Sequence, residues 1–153
     1  MRRRLPQSSE SIPLVTINLG MEEKPTALAP RRKVLLLEDR SDYRNVLREY
    51  LMSCSYQVTS VPSGIEGLRE IMKGRFDVII CDMMMPKMGG EMFYWAVTRV
   101  RPAAHESFIF FTGHKNNPAI EFFFKRVKAR VLYKPFSLSV LDEAIREIFL
   151  KLG

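Results

Sequence analysis

Short apolar runs alternate with helically spaced apolar positions from residue 33 to the end of this 153-residue chain. Short, mainly apolar runs predict strands, with residues 57–61 (QVTSV) the weaker pattern, whereas apolar positions three and four residues apart predict amphipathic helices. The predicted strands cover residues 34–37, 57–61, 76–81, 108–111 and 131–133. Helical spacing follows each strand, at 43–51, 65–72, 91–100, 118–127 and from 137 onward.

Capping signals support several of these helices. Ser63 and Glu66 have the spacing of a capping box, and Gly74 follows the last periodic position of the same helix. Asn117 and Pro118 predict the start of the fourth helix, with proline in its first turn. Five strands alternating with five helices predict an α/β fold, a parallel sheet covered on both faces.

Residues 1–32 have a different texture from the rest of the chain. They are rich in proline, serine and threonine, and only residues 12–19 have some strand character. We therefore expect a flexible leader or linker over 1–32, followed by one domain over 33–153.

Charge and composition exclude several classes of function. Residues 1–32 carry six basic and three acidic side chains and the remainder eighteen and fourteen, so the net charge of +7 forms no polybasic stripe. A nucleic-acid partner is therefore disfavoured, and no apolar run approaches the roughly 18 residues of a membrane span. Cys54 and Cys81 lack metal-site spacing and predict reduced thiols in a cytoplasmic protein.

The candidate chemistry lies where the predicted strands end. Glu38 and Asp39 follow strand one, Asp82 follows strand three, Thr112 follows strand four and Lys134 follows strand five. In open parallel sheets, ligands bind beyond the carboxyl ends of the strands. The four ends together therefore predict a site of three carboxylates, a hydroxyl and an amine.

Each of these residues has an ordinary interpretation when it is taken alone. The two acids after strand one are typical of solvated loops, Thr112 of a turn, and Lys134 of a protein surface. Their joint position favours a site, because clustered carboxylates repel unless a cation joins them. Mg²⁺ is well suited to oxygen ligands. Its charge shields the negative nucleophile from the negative phosphate, so that a carboxylate can attack phosphorus.

The same residues resemble the receiver domain of two-component response regulators, from about Arg32 to the C-terminus. The resemblance rests on Glu38-Asp39, on the run from Asp82 to Gly90 (DMMMPKMGG), on Thr112-Gly113 and on Lys134-Pro135-Phe136. It implies a doubly wound, flavodoxin-like sheet of strand order 2-1-3-4-5. Receivers of hybrid sensor histidine kinases are the most similar in their fourth helix and fifth strand.

The resemblance also implies roles for the acids. Asp82 would accept a phosphoryl group from a histidine kinase or a histidine phosphotransfer protein. Glu38, Asp39 and Asp82 would hold Mg²⁺ or Mn²⁺, with the backbone carbonyl of Met84 as a further ligand. Apart from this phosphotransfer onto itself and self-dephosphorylation, no enzyme activity is expected.

Further roles concern the response to phosphorylation. Lys134 would bind an acid and then a phosphoryl oxygen, with a cis bond to Pro135, and Thr112 would turn towards the phosphate. Met84 and His114 match the variable positions that tune the lifetime of the phosphate. A downstream protein would bind the face formed by helix four, strand five and helix five, and the sequence leaves homodimerisation open.

Two features depart from the family or leave alternatives open. Val131 occupies the position where family members carry an aromatic residue that acts as a switch. In this chain the switch is either absent or moved to Tyr133. Of the three phenylalanines at 122–124 we expect one to be packed and its neighbours to be partly covered, the alternative being a partner-binding face.

Other functions remain as alternatives at this stage. A degenerate receiver would bind partners without phosphorylation. A Mg²⁺-dependent phosphatase needs a second acid two residues after its nucleophile, where this chain has Met84. A DNA-binding protein would need a reading helix, which we do not find in the sequence.

Overall fold

The computed structural model describes residues 30–152. Of the predicted leader, only residues 30–32 are described, and its strand-like stretch at 12–19 lies outside the described residues. Residues from Arg32 onward form one compact unit. Its elements are β1 (Lys33–Leu37), α1 (Ser41–Ser53), β2 (Gln57–Val61), α2 (Gly64–Lys73), β3 (Val78–Asp82), α3 (Gly90–Val100), a 3₁₀ helix (Pro102–Ser107), β4 (Phe108–Thr112), α4 (Pro118–Val127), β5 (Arg130–Tyr133) and α5 (Leu138–Leu152).

All five strands are parallel and follow the order β2-β1-β3-β4-β5, which confirms the predicted topology. Alternating residues of β1 show how the sheet divides the core. Leu35 and Leu37 point into the cluster covered by α2, α3 and α4, whereas Val34 and Leu36 point into the cluster covered by α1 and α5. All four side chains are fully buried, as expected for a central strand with helices on both faces.

The helix starts were predicted with mixed success. Asn117 caps α4, because its side chain accepts hydrogen bonds from the amides of Ala119 at 3.0 Å and Ile120 at 3.2 Å. Ser63 accepts from the amide of Glu66 at 3.3 Å, but Glu66 Oε1 is buried without a hydrogen-bond partner. Only one half of the predicted capping box is therefore formed.

Several boundaries and faces differ from the sequence prediction. Strand β3 begins at Val78 rather than at Phe76, and the 3₁₀ helix before β4 was not predicted. Val46, Met72 and Val100 share the helical spacing of core residues but are at least half exposed. They lie at the edge of the apolar stripe, where a helix turns its side chains away from the sheet.

The three phenylalanines of α4 have three different environments. Phe123 is 1% exposed and packs edge-on against Tyr94 and Phe110. Phe124 is partly buried against the same core cluster. Phe122 is 64% exposed, so the expectation that both neighbours would be partly covered holds only for Phe124.

No helix in residues 30–152 is both long and apolar enough to cross a membrane.

Candidate functional site

Parallel pairing brings the strand ends to one rim of the sheet. Leu37 of β1 pairs with Cys81 of β3, so Glu38 and Asp82 each follow a matched position in neighbouring strands. Thr112 of β4 pairs with Tyr133 of β5, the residue before Lys134. The register therefore delivers residues from four strand ends to one place.

Three carboxylates meet at this rim. Glu38, Asp39 and Asp82 each offer an oxygen, and these oxygens all lie within 4.8 Å of one another. Glu38 is fully buried, Asp82 is 4% exposed and Asp39 is partly exposed. We call this arrangement the acidic cleft: Glu38 and Asp82 are its two buried acids, and Asp39 is its partly exposed acid.

Backbone amides hold the two buried acids in place. The amide of Arg40 donates to Glu38 Oε2 at 2.9 Å, and the amide of Met84 donates to Asp82 Oδ1 at 3.3 Å. The guanidinium of Arg44 donates to the Glu38 carbonyl oxygen at 2.8 Å and fixes the loop after β1. Both side chains are thus oriented before any ligand binds.

Burial dominates the electrostatics of these acids. Loss of hydration raises the pKa of Glu38, an effect that the Arg40 amide opposes and the neighbouring Asp82 reinforces. Loss of hydration also raises the pKa of Asp82, whereas the Lys134 ammonium lowers it in part. The carboxylates carry more negative charge than the cleft compensates, which favours a bound cation.

Among the described residues, Lys134 is the cation that pairs with both buried acids. Its Nζ lies 3.4 Å from Glu38 Oε1 and 3.5 Å from Asp82 Oδ2. The ammonium also sits 5.0 Å from the ring centroids of Tyr43 and Phe111. The faces of these aromatic rings add to the stabilisation of the charge.

The backbone around Lys134 joins β5 to the rest of the site. Its amide donates to the Thr112 carbonyl oxygen at 2.8 Å. The bond from Lys134 to Pro135 is cis, as the family resemblance implied.

Thr112 is at the site but is not directed at the acids. Its side chain is fully buried, and its Oγ1 accepts a hydrogen bond from the His114 amide at 3.1 Å. Within residues 30–152 this hydroxyl makes no hydrogen bond to Asp82. The Thr112 hydroxyl thus accepts a hydrogen bond within its own loop and keeps its proton to donate to a ligand.

Met84 and His114 flank the cleft as exposed residues. Met84 contributes its amide to Asp82, and the use of its carbonyl as a metal ligand stays a prediction.

Sequence analysis gave Gly90 no role beyond its place in the run from Asp82 to Gly90, and in the structure this residue shapes the loop after Asp82. A Cβ at this position would lie 2.9 Å from the Asp82 carbonyl oxygen and 3.0 Å from Met83 Cα. The amide of Gly90 donates to the Met83 carbonyl at 3.0 Å. Only glycine lets α3 begin this close to the acceptor loop, and the Gly89-Gly90 pair was the available signal.

The donor set fits a hard divalent cation. Three carboxylate oxygens within 4.8 Å match the oxygen ligands that Mg²⁺ takes while keeping several waters. Nitrogen and sulfur ligands are absent from this cluster of Glu38, Asp39 and Asp82, which disfavours zinc.

Comparison with known proteins gives one consistent result. The family model "Response regulator receiver domain" matches residues 34–146. The chain is 33% identical over 132 residues to the sensor kinase CckA of Brucella abortus, covering 84% of this chain and 14% of that protein. It is 27% identical over 124 residues to a probable chemotaxis protein CheY of Rhizobium etli, covering 80% of this chain and 96% of that protein.

Solved structures agree with the sequence comparison. The chemotaxis protein CheY4 of Vibrio cholerae matches with a TM-score of 0.70 and 30% identity, over 78% of this chain and 99% of that one. A response regulator receiver domain protein from Clostridium thermocellum matches with a TM-score of 0.71 and 28% identity, over 78% and 95% of the two chains.

Length differs widely among these relatives. The chain spans from 14% to 48% of three curated relatives that it matches, because those proteins carry the similar region within a longer sequence. The family model matches residues 34–146, which lie within the five-stranded domain described above. The chain therefore belongs to the response regulator receiver domain family of two-component signalling.

Proposed function

We propose that Asp82 accepts a phosphoryl group from a phosphohistidine of a histidine kinase or a histidine phosphotransfer protein. The observation that carries this proposal is the position of Asp82 between two further acids and the Lys134 ammonium. A carboxylate held by the Met84 amide, with one oxygen facing a cation, is oriented to attack phosphorus.

The transfer balances as a simple displacement. One Asp82 oxygen forms a bond to phosphorus while the bond from phosphorus to the donor imidazole nitrogen breaks. The imidazole keeps that electron pair and takes a proton from water. The product is an aspartyl phosphate, and its later hydrolysis returns the carboxylate and inorganic phosphate.

Each neighbouring residue has one task in this proposal. Glu38, Asp39 and Asp82 would hold Mg²⁺ or Mn²⁺, with the Met84 carbonyl as a further ligand. The bound metal supplies charge neutralisation between the incoming phosphate and the acids. Lys134 would pair with a phosphoryl oxygen instead of a carboxylate, and Thr112 would turn towards the phosphate and donate its hydroxyl.

The output is a change in partner binding rather than turnover of a separate substrate. We infer that the face of α4, β5 and α5 contacts the downstream protein, as the resemblance to receiver domains implies. On α4, Phe122 exposes 64% of its surface. Val131 and Tyr133 are both partly buried on β5, and the Lys115 ammonium lies 5.7 Å from the Tyr133 ring centroid. We propose that Tyr133 reports on the site in the absence of a ring at 131.

The proposed setting is the cytoplasm, where phosphohistidine donors and reduced thiols occur together. Cys54 and Cys81 are both free thiols in the structure, which is compatible with that compartment.

The test is the intact mass of the full chain after incubation with Mg²⁺ and acetyl phosphate. We expect the mass of one added phosphoryl group, which disappears in Asp82→Asn and when a chelator removes the metal. An unmodified mass in a folded, Mg²⁺-loaded sample would contradict the proposal and favour a receiver that acts without phosphorylation.

A second measurement concerns the response. In Lys134→Ala we expect the phosphoryl group to be accepted while the amide chemical-shift changes at Thr112 and Tyr133 largely disappear. Unchanged shifts relative to the parent chain would show that Lys134 does not couple the phosphate to β5.

A further inference from the structure

An apolar cavity of about 340 Å³ opens at the end of the sheet opposite to the acidic cleft. Ile71, Phe76 and Ile79 line its inner side, and Ala103 and Ala104 of the 3₁₀ helix line its outer side. Ile79 lies three residues before Asp82 on β3, which separates the two sites by about 10 Å along the strand.

Two arginines provide the charge of this cavity. Arg75 follows α2, Arg101 follows α3, and both line the cavity wall. Within residues 30–152 neither guanidinium pairs with a carboxylate. The cavity is thus an apolar space bounded by two cations whose charges the described residues leave uncompensated.

Arg101 is held in place by the fold. Its Nη2 donates to the Ile71 carbonyl oxygen at 2.9 Å, and its own amide donates to the Val97 carbonyl at 2.7 Å. Its Nε is buried and has no hydrogen-bond partner. A guanidinium that the fold already holds in one orientation gains more from a bound anion than a mobile surface arginine does.

The nearest acids are already engaged. Glu70 lines a smaller neighbouring cavity and receives the Lys73 ammonium at 3.1 Å. Asp77 accepts the Lys33 amide at 2.8 Å and lies 3.9 Å from the Arg32 guanidinium. Within residues 30–152 neither carboxylate forms an ion pair with Arg75 or Arg101.

We propose that this cavity binds a small organic carboxylate with an apolar body. A volume of about 340 Å³ has room for a ligand of about ten non-hydrogen atoms. A planar carboxylate matches the fork of a guanidinium, and the body replaces water against Ile71 and Ile79. This proposal is independent of phosphorylation at Asp82.

The probe is 3-phenylpropionate, titrated into the full chain and followed by amide chemical shifts. We expect a Kd on the order of one millimolar, because so small a ligand gains little binding energy, with the largest shifts at residues 71–79 and 100–104. The neutral 3-phenylpropanol should bind at least about tenfold more weakly, since it lacks the charge that the arginines recognise. Inorganic phosphate should also bind at least about tenfold more weakly, since it lacks the apolar body.

Three variants separate the cavity from general anion binding. Arg75→Gln, an exposed position, should weaken binding about fivefold or more, and Ala103→Phe should abolish it by filling the space while both cations remain. Arg99→Gln removes an exposed arginine that does not line the cavity and should leave the Kd unchanged.

Several results would overturn the proposal. Equal binding of the neutral analogue refutes the charge recognition, and equal binding of phosphate refutes the apolar component. Unchanged affinity in a folded Ala103→Phe variant, or no shifts at about ten millimolar probe, refutes the site itself.

Discussion

Lys134→Met tests the electrostatic account of the acidic cleft, because methionine keeps most of the side-chain length and removes only the charge. The ammonium contacts Glu38 at 3.4 Å and Asp82 at 3.5 Å. At an effective dielectric constant near 20, each contact corresponds to about 5 kcal/mol of Coulomb attraction. Dehydration of the charges offsets most of that gain.

The net cost follows from what remains in the cleft. Removing one partner from a buried ion pair costs about 3–5 kcal/mol. The Lys134 side chain is 21% exposed and the cleft opens to solvent, so we expect a smaller loss, about 2 kcal/mol in Mg²⁺-free buffer. For a domain of this size that loss lowers the Tm by about 8 °C.

The assay is urea unfolding with and without Mg²⁺. A bound cation neutralises the same acids, so the cost of Lys134→Met should fall below about 1 kcal/mol at saturating Mg²⁺. In an Asp82→Asn background the cost should also fall, since one acid no longer carries charge. Lys125→Met, at an exposed lysine of α4, is the matched control and should change stability by less than about 0.5 kcal/mol.

An equal cost of Lys134→Met under all three conditions would refute this reasoning. The residue would then stabilise the fold through its packing on the rings of Tyr43 and Phe111 rather than through the carboxylates.

Three further predictions address the acceptor loop, the core and pH. Gly90→Ala should destabilise the fold by about 1–3 kcal/mol in urea and slow phosphorylation by acetyl phosphate, because the added Cβ meets backbone at 2.9 Å; Gly74→Ala, with open space around its Cβ, should do neither. Phe123→Ala should cost about 3–5 kcal/mol and Phe122→Ala less than about 0.5 kcal/mol by the same measurement, and equal costs would contradict the assigned faces. Burial raises the pKa of Asp82 above 3.8, so protonated Asp82 stabilises the metal-free chain fully below pH 3.8, and this stabilisation is lost as pH rises through the raised pKa. Asp82→Asn should therefore show a smaller fall of the urea midpoint with rising pH, and a pH profile identical to that of the parent chain would contradict this prediction.

Much of the fold was predictable because most strands are short apolar runs and several helices begin or end with a recognisable residue. The central strands are buried on both faces, so their hydrophobic runs are unbroken, as in residues 34–37. The 3₁₀ helix at Pro102–Ser107 was missed, since six residues are too few to show a period. The faces of Val46 and Val100 were missed because spacing does not reveal how wide the covered stripe is.

The site was predictable as a set of residues but not as a geometry. The rule for carboxyl ends of parallel strands brought Glu38, Asp82 and Lys134 together from the sequence alone. Their burial, and the direction of the Thr112 hydroxyl towards the His114 amide, depend on loop conformations that no local pattern encodes.

The central claim is that Asp82 is the phosphoryl acceptor, and the most direct measurement locates the modification. Borohydride reduces an aspartyl phosphate to homoserine and releases phosphate, so peptide sequencing by mass spectrometry identifies the acceptor after treatment with acetyl phosphate and Mg²⁺. We predict homoserine at position 82 in the parent chain and none in Asp82→Asn. Homoserine at position 38 or 39, or a phosphorylated chain without any homoserine, would contradict the account.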